Sequence, residues 1–319
     1  MSRSEKVDTP SPGRMRRFLR PSSYIEGGRR VLNRYLLPGL ESILSTGPLE
    51  LRSRPPTFII GPPRCGSTLA VQILTEALDV GYISNAHAPW FGCPAVAECF
   101  LRWTRVRTPS DFSSELGVTK GAHGPAECGE WWYRFFPRSP AYVDRRDVDP
   151  ASGLAFRRSI VALTRARARP LIFKNLYASL RIHPIVAAVP EAVFVIIRRD
   201  ESDIADSLLR ARRKVHGRED LWFSVEPPNI DELRHLPPDM QVLEQVRSIY
   251  ALIERDLCDA AVPTQQIVEL RYADFVSHPE VVVESFLGAI RACGVASVVQ
   301  RGGLSAAVNV PLRVLRGAQ

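Results

Sequence analysis

TFIIGPPRCGSTLAV, residues 57–71, is the stretch that decides the fold. Its short apolar run predicts a buried strand over residues 58–60, which a Gly/Pro turn then breaks. Ser67 and Thr68 open an apolar-periodic segment, residues 69–78, that predicts a helix. The amides of a glycine loop and of a helix N-terminus converge on an anion. This succession of strand, loop and helix therefore predicts a phosphate-binding site.

The loop differs from a Walker A loop at one informative position. Gly61 and Gly66 have the Walker spacing, but Ser67 follows where that motif has lysine. The cation of the loop is Arg64, which stands inside it. The lysine that reaches the β- and γ-phosphates of ATP is thus missing. The alternative interpretation is an ordinary strand–turn–helix corner with Arg64 facing solvent.

A second strand–turn–helix pattern covers residues 192–207, AVFVIIRRDESDIADS. Arg199 stands at the end of the predicted strand, and Ser207 lies about two turns into the following helix. Ligands of open α/β sheets bind at the carboxyl ends of the strands, so these two side chains can converge on one phosphate. The alternative is a salt-bridged surface turn with a solvated serine.

Together the two stretches resemble the sulfotransferases that depend on 3′-phosphoadenylyl sulfate (PAPS). Residues 63–68, PRCGST, match at each position that family's loop for the 5′-phosphosulfate, usually written P-[KR]-[SC]-G-[ST]-T. Arg199 and Ser207 match the spacing of the family's 3′-phosphate site. Residues 270–275, LRYADF, look like a third family segment, with Ala273 where glutamate is usual. The resemblance covers roughly residues 55–290.

Alternating strands and helices along the chain predict an α/β fold with a central parallel sheet flanked by helices. The resemblance implies that this is the P-loop-like three-layer fold. We expect a single domain over residues 55–319, preceded by a basic N-terminal extension with one helix over residues 1–54. The extension's helical periodicity, together with Arg29, Arg30 and Arg34, fits either a helix at a membrane surface or a helix packed on the domain.

The resemblance also implies a role for each matched residue. Arg64 and Lys174 would supply catalytic charge, since Lys174 resembles the family lysine that approaches the transferred sulfonate. Tyr272 would stack near the adenine. The residues implied to bind PAPS, whose product is adenosine 3′,5′-bisphosphate, are Arg64, Cys65, Gly66, Ser67, Thr68, Arg199, Ser207 and Tyr272. No metal is required by this reaction.

The resemblance does not identify the catalytic base. The cytosolic small-molecule members have histidine two positions after the lysine, where this chain has Leu176. We prefer Glu127, which lies in a Gly/Pro-rich loop ahead of an aromatic cluster that could bury it. The other candidates are His123, His87 and Glu130. For each of the four, the alternative is a solvated loop side chain or a capping group.

The composition fits a nucleotide-binding enzyme. The chain has 319 residues, 45% of them apolar, and a net charge of +8. Its arginines are dispersed, so an anionic nucleotide explains the charge better than a nucleic acid does. No apolar run approaches the ~20 residues of a membrane span, and no apolar core follows the basic N-terminus, so we expect a cytoplasmic protein. The six cysteines include no C-x-x-C pair and indicate neither a zinc site nor a disulfide framework.

Three further features of the sequence bear on the site. The Pro-rich, charged residues 214–239 predict an insertion that serves as a lid or substrate loop. The aromatic residues at 90–91, 131–133 and 222–223 form either an acceptor pocket or core. Residues 301–303, RGG, resemble a late cofactor contact of the family.

We therefore expect a sulfotransferase that moves the sulfuryl group of PAPS to a hydroxyl of a small molecule or glycan, either a carbohydrate or a lipid-like metabolite. One alternative is a P-loop nucleotide kinase or NTPase, and the missing loop lysine argues against it. The other is a non-catalytic nucleotide-binding relative, which the missing histidine after Lys174 keeps open.

Overall fold

The computed structural model describes residues 27–48, 50–104, 110–293 and 298. Its centre is a four-stranded parallel sheet in the order β4-β1-β5-β6. The strands are β1 (Thr57–Ile60), β4 (Ile172–Lys174), β5 (Val193–Arg198) and β6 (Ile267–Arg271), and a separate antiparallel hairpin consists of β2 (Ser114–Glu115) and β3 (Val118–Thr119). The parallel sheet confirms the predicted fold class. The hairpin lies within residues 110–125, which otherwise form turns and loops.

Helices cover the sheet. They are α1 (Leu37–Leu44), α2 (Ser67–Ala77), α3 (Pro94–Thr104), α4 (Gly129–Trp132), α5 (Pro150–Arg167), α6 (Ile182–Ala188), α7 (Glu201–His216), α8 (Ile230–Leu233), α9 (Pro238–Asp259), α10 (Tyr272–Ser277) and α11 (Pro279–Ala292). A π-helical turn, Leu32–Leu36, precedes α1, and 3₁₀ turns cover Ala88–Trp90, Arg145–Asp147, Leu176–Leu180 and Thr264–Gln266. Helix α2 packs on β1 and β4 and contacts α11, whereas α9 contacts α6 and α7. None of the helices described is both long and apolar enough to cross a membrane.

The core is centred on Phe58 in the middle strand β1. Its register partners are Phe173 on β4 and Phe194 on β5, whose ring centroids lie 5.2 and 5.9 Å from its own. Trp131 and Trp132 are fully buried against the same cluster, with Trp132 6.0 Å from Phe58. These two tryptophans are therefore core residues and do not form an acceptor pocket.

Local chemistry explains where the long helices begin. The Asp149 carboxylate accepts hydrogen bonds from the Ala151 and Ser152 amides, and Pro150 occupies the first position of α5. The Asp200 carboxylate caps α7 in the same way, which fixes the chain direction immediately after β5. The residue before that cap is Arg199, so the cap helps to hold this arginine at the carboxyl end of the sheet.

Candidate active site

The loop after β1 is shaped by two glycines with positive φ. Gly61 has φ 152° and Gly66 has φ 102°. A Cβ on Gly66 would lie 2.3 Å from the Tyr272 ring, so the tyrosine packs directly on the loop and only glycine fits. Helix α2 begins at Ser67, and the first-turn amides of a helix have no acceptor within it. The loop and α2 thus form a site suited to a phosphate or sulfonate.

Two buried residues, Ser179 and Cys65, help to fix the conformation of this loop. Ser179 Oγ donates to the Gly61 carbonyl oxygen at 3.1 Å and accepts from the Gly61 amide at 3.0 Å. Cys65 is fully buried, and burial raises the pKa of its thiol to about 11. The cysteine side chain therefore packs under the loop as a neutral group. Ser179 was not predicted, because it lies 118 residues from Gly61 and belongs to no pattern that the sequence shows.

Arg199 projects from the end of β5 toward the same loop. Its Nη1 donates to the Arg64 carbonyl oxygen at 3.2 Å, and its guanidinium carbon lies 4.4 Å from the centre of the Tyr272 ring. Its Nε is buried and has no hydrogen-bond acceptor among the described residues; the Asp203 carboxylate is 3.8 Å away. A buried charged donor without an acceptor costs free energy that an anionic ligand would recover.

The predicted cations and hydroxyl converge. Arg64 Nε donates to Ser207 Oγ at 3.1 Å, which joins the loop to α7. Burial, followed by the charges of Arg199 and Arg210, lowers the pKa of Arg64. Arg210 was not predicted, although it follows Ser207 by three residues and so lies on the same side of the helix. Three guanidinium groups so close together favour a ligand with several negative charges.

Lys174 and Glu127 meet at the neighbouring strand end. Lys174 ends β4 and is 4% exposed, and its Nζ donates to the Gly117 carbonyl oxygen at 3.1 Å and forms an ion pair with Glu127 Oε1. The side chain of Glu127 is 36% exposed, so the predicted burial by aromatic residues is only partial. Asn175 Nδ2 donates to the Glu127 carbonyl oxygen at 3.3 Å and helps to position that loop.

Two adjoining cavities connect these groups, and we call the two cavities together the cleft. One has a volume of about 220 Å³ and is lined by the loop, Lys174, Glu127, Arg199 and Tyr272. The other has a volume of about 470 Å³ and includes Ser207 and Arg210. Arg64, Ser114 and Leu116 line both cavities. A ligand with two separated anionic groups can therefore place one in each cavity.

A model of the sulfotransferase family matches residues 55–292, which is most of the chain. The chain belongs to the sulfotransferase family. It is thus a transferase of sulfuryl groups with the P-loop-like fold of that family. No curated protein sequence matches it.

Two bacterial sulfotransferases of known structure are similar to it. Sulfotransferase STF9 from Mycobacterium avium has a TM-score of 0.51 and 15% identity, over 86% of this chain and 70% of that one. Sulfotransferase STF1 from Mycobacterium tuberculosis H37Rv has a TM-score of 0.49 and 15% identity, over 82% and 71%. At this identity, the likeness to STF9 supports the fold alone.

In this sulfotransferase, three of the four candidate bases lie elsewhere. His87 is fully buried and Nε2 lies 3.1 Å from Glu98, an acid that Arg167 also contacts. Glu130 is paired with Arg138 on the surface. Neither cavity, as lined by the described residues, includes His123. Glu127 is therefore the candidate that the geometry places in the cleft.

The insertion reaches the cleft of the sulfotransferase through one turn. Gln245 Nε2 on α9 donates to the carbonyl oxygens of Phe223, at 3.2 Å, and Val225, at 2.8 Å. Phe223 and Ser224 consequently line the cavity with Leu176. Of the aromatic residues at 90–91, 131–133 and 222–223, Phe223 is the one that lines this cavity within the described chain. The RGG segment at 301–303 lies outside the described residues.

One group of described residues has the spacing of metal ligands, away from the cleft. His183, Asp256 and Asp259 place their ligand atoms within 4.8 Å of one another. Arg255 Nη2 lies 2.7 Å from Asp256 Oδ1, so this cluster already contains a cation. It does not line either of the two cavities at the loop, as described.

Proposed function

We propose that this sulfotransferase transfers the sulfuryl group of PAPS to a hydroxyl group of a carbohydrate or a lipid-like metabolite in the cytoplasm. The observation that carries this proposal is the convergence of Arg64, Arg199 and Ser207 beside the phosphate-type loop. PAPS differs from ATP by a phosphate on the 3′-oxygen of its ribose. A second group of cations next to the loop is what that additional phosphate requires.

The residues of the cleft fit PAPS part by part. The amides of the loop and of Ser67 and Thr68 would bind the 5′-phosphosulfate, where Arg64 adds charge. Arg199, Ser207 and Arg210 would bind the 3′-phosphate. The buried Nε of Arg199, which has no acceptor among the described residues, supports this fit. PAPS supplies the activated sulfuryl group, and the protein supplies charge, position and a proton acceptor.

The chemistry resembles phosphoryl transfer, in which the attacking and leaving oxygens lie in line and negative charge spreads over the transferred group. The acceptor oxygen forms a bond to sulfur, the bond between sulfur and the bridging phosphate oxygen breaks, and the acceptor loses its proton. Lys174 places a cation where charge develops, and Arg64 can stabilise the leaving oxygen. We assign the proton to Glu127, whose carboxylate contacts Lys174.

Nucleotide binding tests the donor. We expect isothermal titration calorimetry to show micromolar binding of adenosine 3′,5′-bisphosphate that does not depend on magnesium, and negligible binding of ATP. Tight binding of ATP with magnesium, and none of the bisphosphate, would support a kinase or NTPase instead. Binding of neither would support a non-catalytic relative.

The role of Glu127 is tested by turnover with an acceptor found by screening with labelled PAPS. Glu127→Gln should lower kcat by about 10²–10⁴-fold while the bisphosphate binds as before, because a general base contributes a factor of that size. Glu130→Gln is the matched control, since Glu130 pairs with Arg138 on the surface. Undiminished turnover in Glu127→Gln would exclude the assignment.

The side chains that line the cavity near Lys174 are partly apolar, which favours an acceptor with an apolar part. Leu176 and Phe223 line the same cavity as Glu127 and Ser224. A hydroxyl group could meet the polar side chains while the attached carbon skeleton packs on the apolar ones. Screening lipid-like alcohols against sugars tests this choice, and Phe223→Ala should raise KM for the preferred class more than it raises KM for PAPS.

A further inference from the structure

The N-terminal helical segment, residues 27–44, has most of its apolar side chains on the outside, the exceptions being the partly buried Leu37 and Leu44. Six of them are 38–72% exposed: Val31, Leu32, Tyr35, Leu36, Leu40 and Ile43. Steps of four, four and three residues place Leu32, Leu36, Leu40 and Ile43 along one side of the segment. We call these four residues the apolar stripe. A helix that packs on a domain normally buries such a stripe.

The opposite, polar side of the segment is fixed to the domain. Asn33 is fully buried, and its Oδ1 accepts from the Gly92 amide at 2.8 Å. Glu41 Oε2 accepts hydrogen bonds from Arg134 Nη1, at 3.0 Å, and from Ser159 Oγ, at 2.8 Å. These buried polar contacts set the rotation of the helix. The outward direction of the apolar stripe is thus a consequence of the fold.

The exposed charges carried by the segment itself have one sign, and one carboxylate of the domain, Glu130, lies 3.8 Å from Arg30. Arg29, Arg30 and Arg34 are exposed on the same segment. Within residues 27–48, the one carboxylate is Glu41, which is 3% exposed and turned inward. Apolar side chains combined with arginine, and with no exposed carboxylate in residues 27–48, complement an anionic lipid surface.

A neighbouring helix has similar side chains. Helix α3 contacts α1, and Phe100 and Trp103 on α3 are 71% and 80% exposed. Arg102 stands between them in the sequence and is exposed as well. Aromatic residues beside arginine are enriched where proteins meet the boundary between lipid and water.

We propose that the apolar stripe and its arginines dock this sulfotransferase on the surface of an anionic membrane, with the stripe among the lipid headgroups and Arg29, Arg30 and Arg34 at the phosphates. A second copy of the chain is a poorer occupant of this face. A twofold contact through the stripe would place this segment against its own equivalent, which offers the three arginines no exposed carboxylate within residues 27–48.

Vesicle co-sedimentation of the full chain tests the proposal. We expect binding to vesicles of equimolar phosphatidylserine and phosphatidylcholine, and much weaker binding to phosphatidylcholine alone. Replacing Arg29, Arg30 and Arg34 together by serine should lower the partition coefficient roughly a hundredfold, because each arginine near an anionic surface contributes about a factor of five. Replacing Leu36, Leu40 and Ile43 together by serine should lower it by a similar factor.

Matched controls make the result specific. One control replaces the exposed Arg145, Arg158 and Arg291 by serine, and the other replaces the exposed apolar Leu154, Met240 and Val281, which lie on three different helices. All variants should keep the thermal unfolding midpoint of the unchanged chain, since each altered side chain is exposed. Absence of vesicle binding, or equal losses in the test and control variants, would overturn the proposal. The proposal would also be overturned if sedimentation velocity showed that the unchanged chain is a dimer and that replacing Leu36, Leu40 and Ile43 dissociates it.

Discussion

Replacing Arg199 by alanine should change which nucleotide this sulfotransferase prefers. One of the arginine's donors, Nη1, already binds the Arg64 carbonyl oxygen, whereas the buried Nε has no acceptor within the described chain. Two charge-assisted hydrogen bonds to a phosphate contribute about 1.5–3 kcal/mol each. Allowing for water that enters the vacated space, we expect a loss of about 3 kcal/mol, or on the order of a hundredfold in the affinity for adenosine 3′,5′-bisphosphate.

The alanine also removes two contacts that do not involve a 3′-phosphate. These are the hydrogen bond to Arg64 and the stacking of the guanidinium on the Tyr272 ring. Their loss should weaken the binding of adenosine 5′-monophosphate and of the bisphosphate by the same factor. The ratio of the two dissociation constants, measured by calorimetry for both nucleotides, therefore isolates the contribution of the 3′-phosphate.

Arg198→Ala is the control for this experiment. Arg198 is the preceding residue on β5, but its guanidinium group binds the carboxylates of Glu269 and Glu254, at 2.6 and 2.8 Å. Its loss should leave the ratio of the two dissociation constants unchanged. The reasoning about the 3′-phosphate would be refuted if Arg199→Ala weakened the binding of both nucleotides by the same factor. It would also be refuted if Arg198→Ala changed the ratio of the two dissociation constants as much as Arg199→Ala does.

Three other predictions concern the loop and the stability of the fold. Gly66→Ala should abolish nucleotide binding, because a Cβ there meets the Tyr272 ring at 2.3 Å. Gly217→Ala is the control, because Gly217 also has positive φ but a Cβ there meets open space. This variant should lower the free energy of unfolding by about 1 kcal/mol and leave nucleotide binding unchanged. Cys65 should resist alkylation at pH 8 in a mass-spectrometric assay until the protein unfolds, because burial raises the pKa of its thiol to about 11. Burial alone would raise the pKa of Glu191, but the hydrogen bonds and the charge of Arg157, together with the residue's own amide and the charge of Arg52, outweigh burial and hold that pKa below the ordinary value. Urea unfolding should therefore show Glu191→Gln to be less stable by about 1 kcal/mol at neutral pH, and the difference should shrink as the pH falls below 4.5.

The sequence could predict the parts of the site that depend on adjacent residues. A strand, a glycine loop and a helix N-terminus follow one another within 15 residues, so the loop and its Arg64 were readable directly. Arg199 and Ser207 were readable for the same reason, since one strand end and one helix carry both. The family match and the parallel sheet confirm the fold and the class of reaction.

The parts that depend on distant packing were not predictable in the same way. Ser179 binds Gly61 only because the 3₁₀ turn after β4 passes under β1. The choice among the candidate bases depended on which loop lies next to Lys174, and this contact between distant residues cannot be predicted from a local sequence pattern. His87 is the instructive case: its buried contact with Glu98 makes it a structural residue, although the sequence did not separate it from His123 and Glu130.

The balance of charge in the cleft explains why its parts belong together. Arg64, Arg199 and Arg210 crowd one side, where burial and mutual repulsion lower the pKa of Arg64. Such crowding is costly unless a polyanion relieves it, which supports the proposal that the donor binds on this side. On the other side, Lys174 is compensated by Glu127. A sulfuryl group that approached Lys174 would compete for its ammonium group and leave the Glu127 carboxylate available to the acceptor hydroxyl. In the mechanism proposed above, binding of the donor would itself release the Glu127 carboxylate. Because Lys174→Met removes the ion-pair partner of Glu127 in any case, this variant should impair turnover through the loss of the lysine charge beside the sulfuryl group.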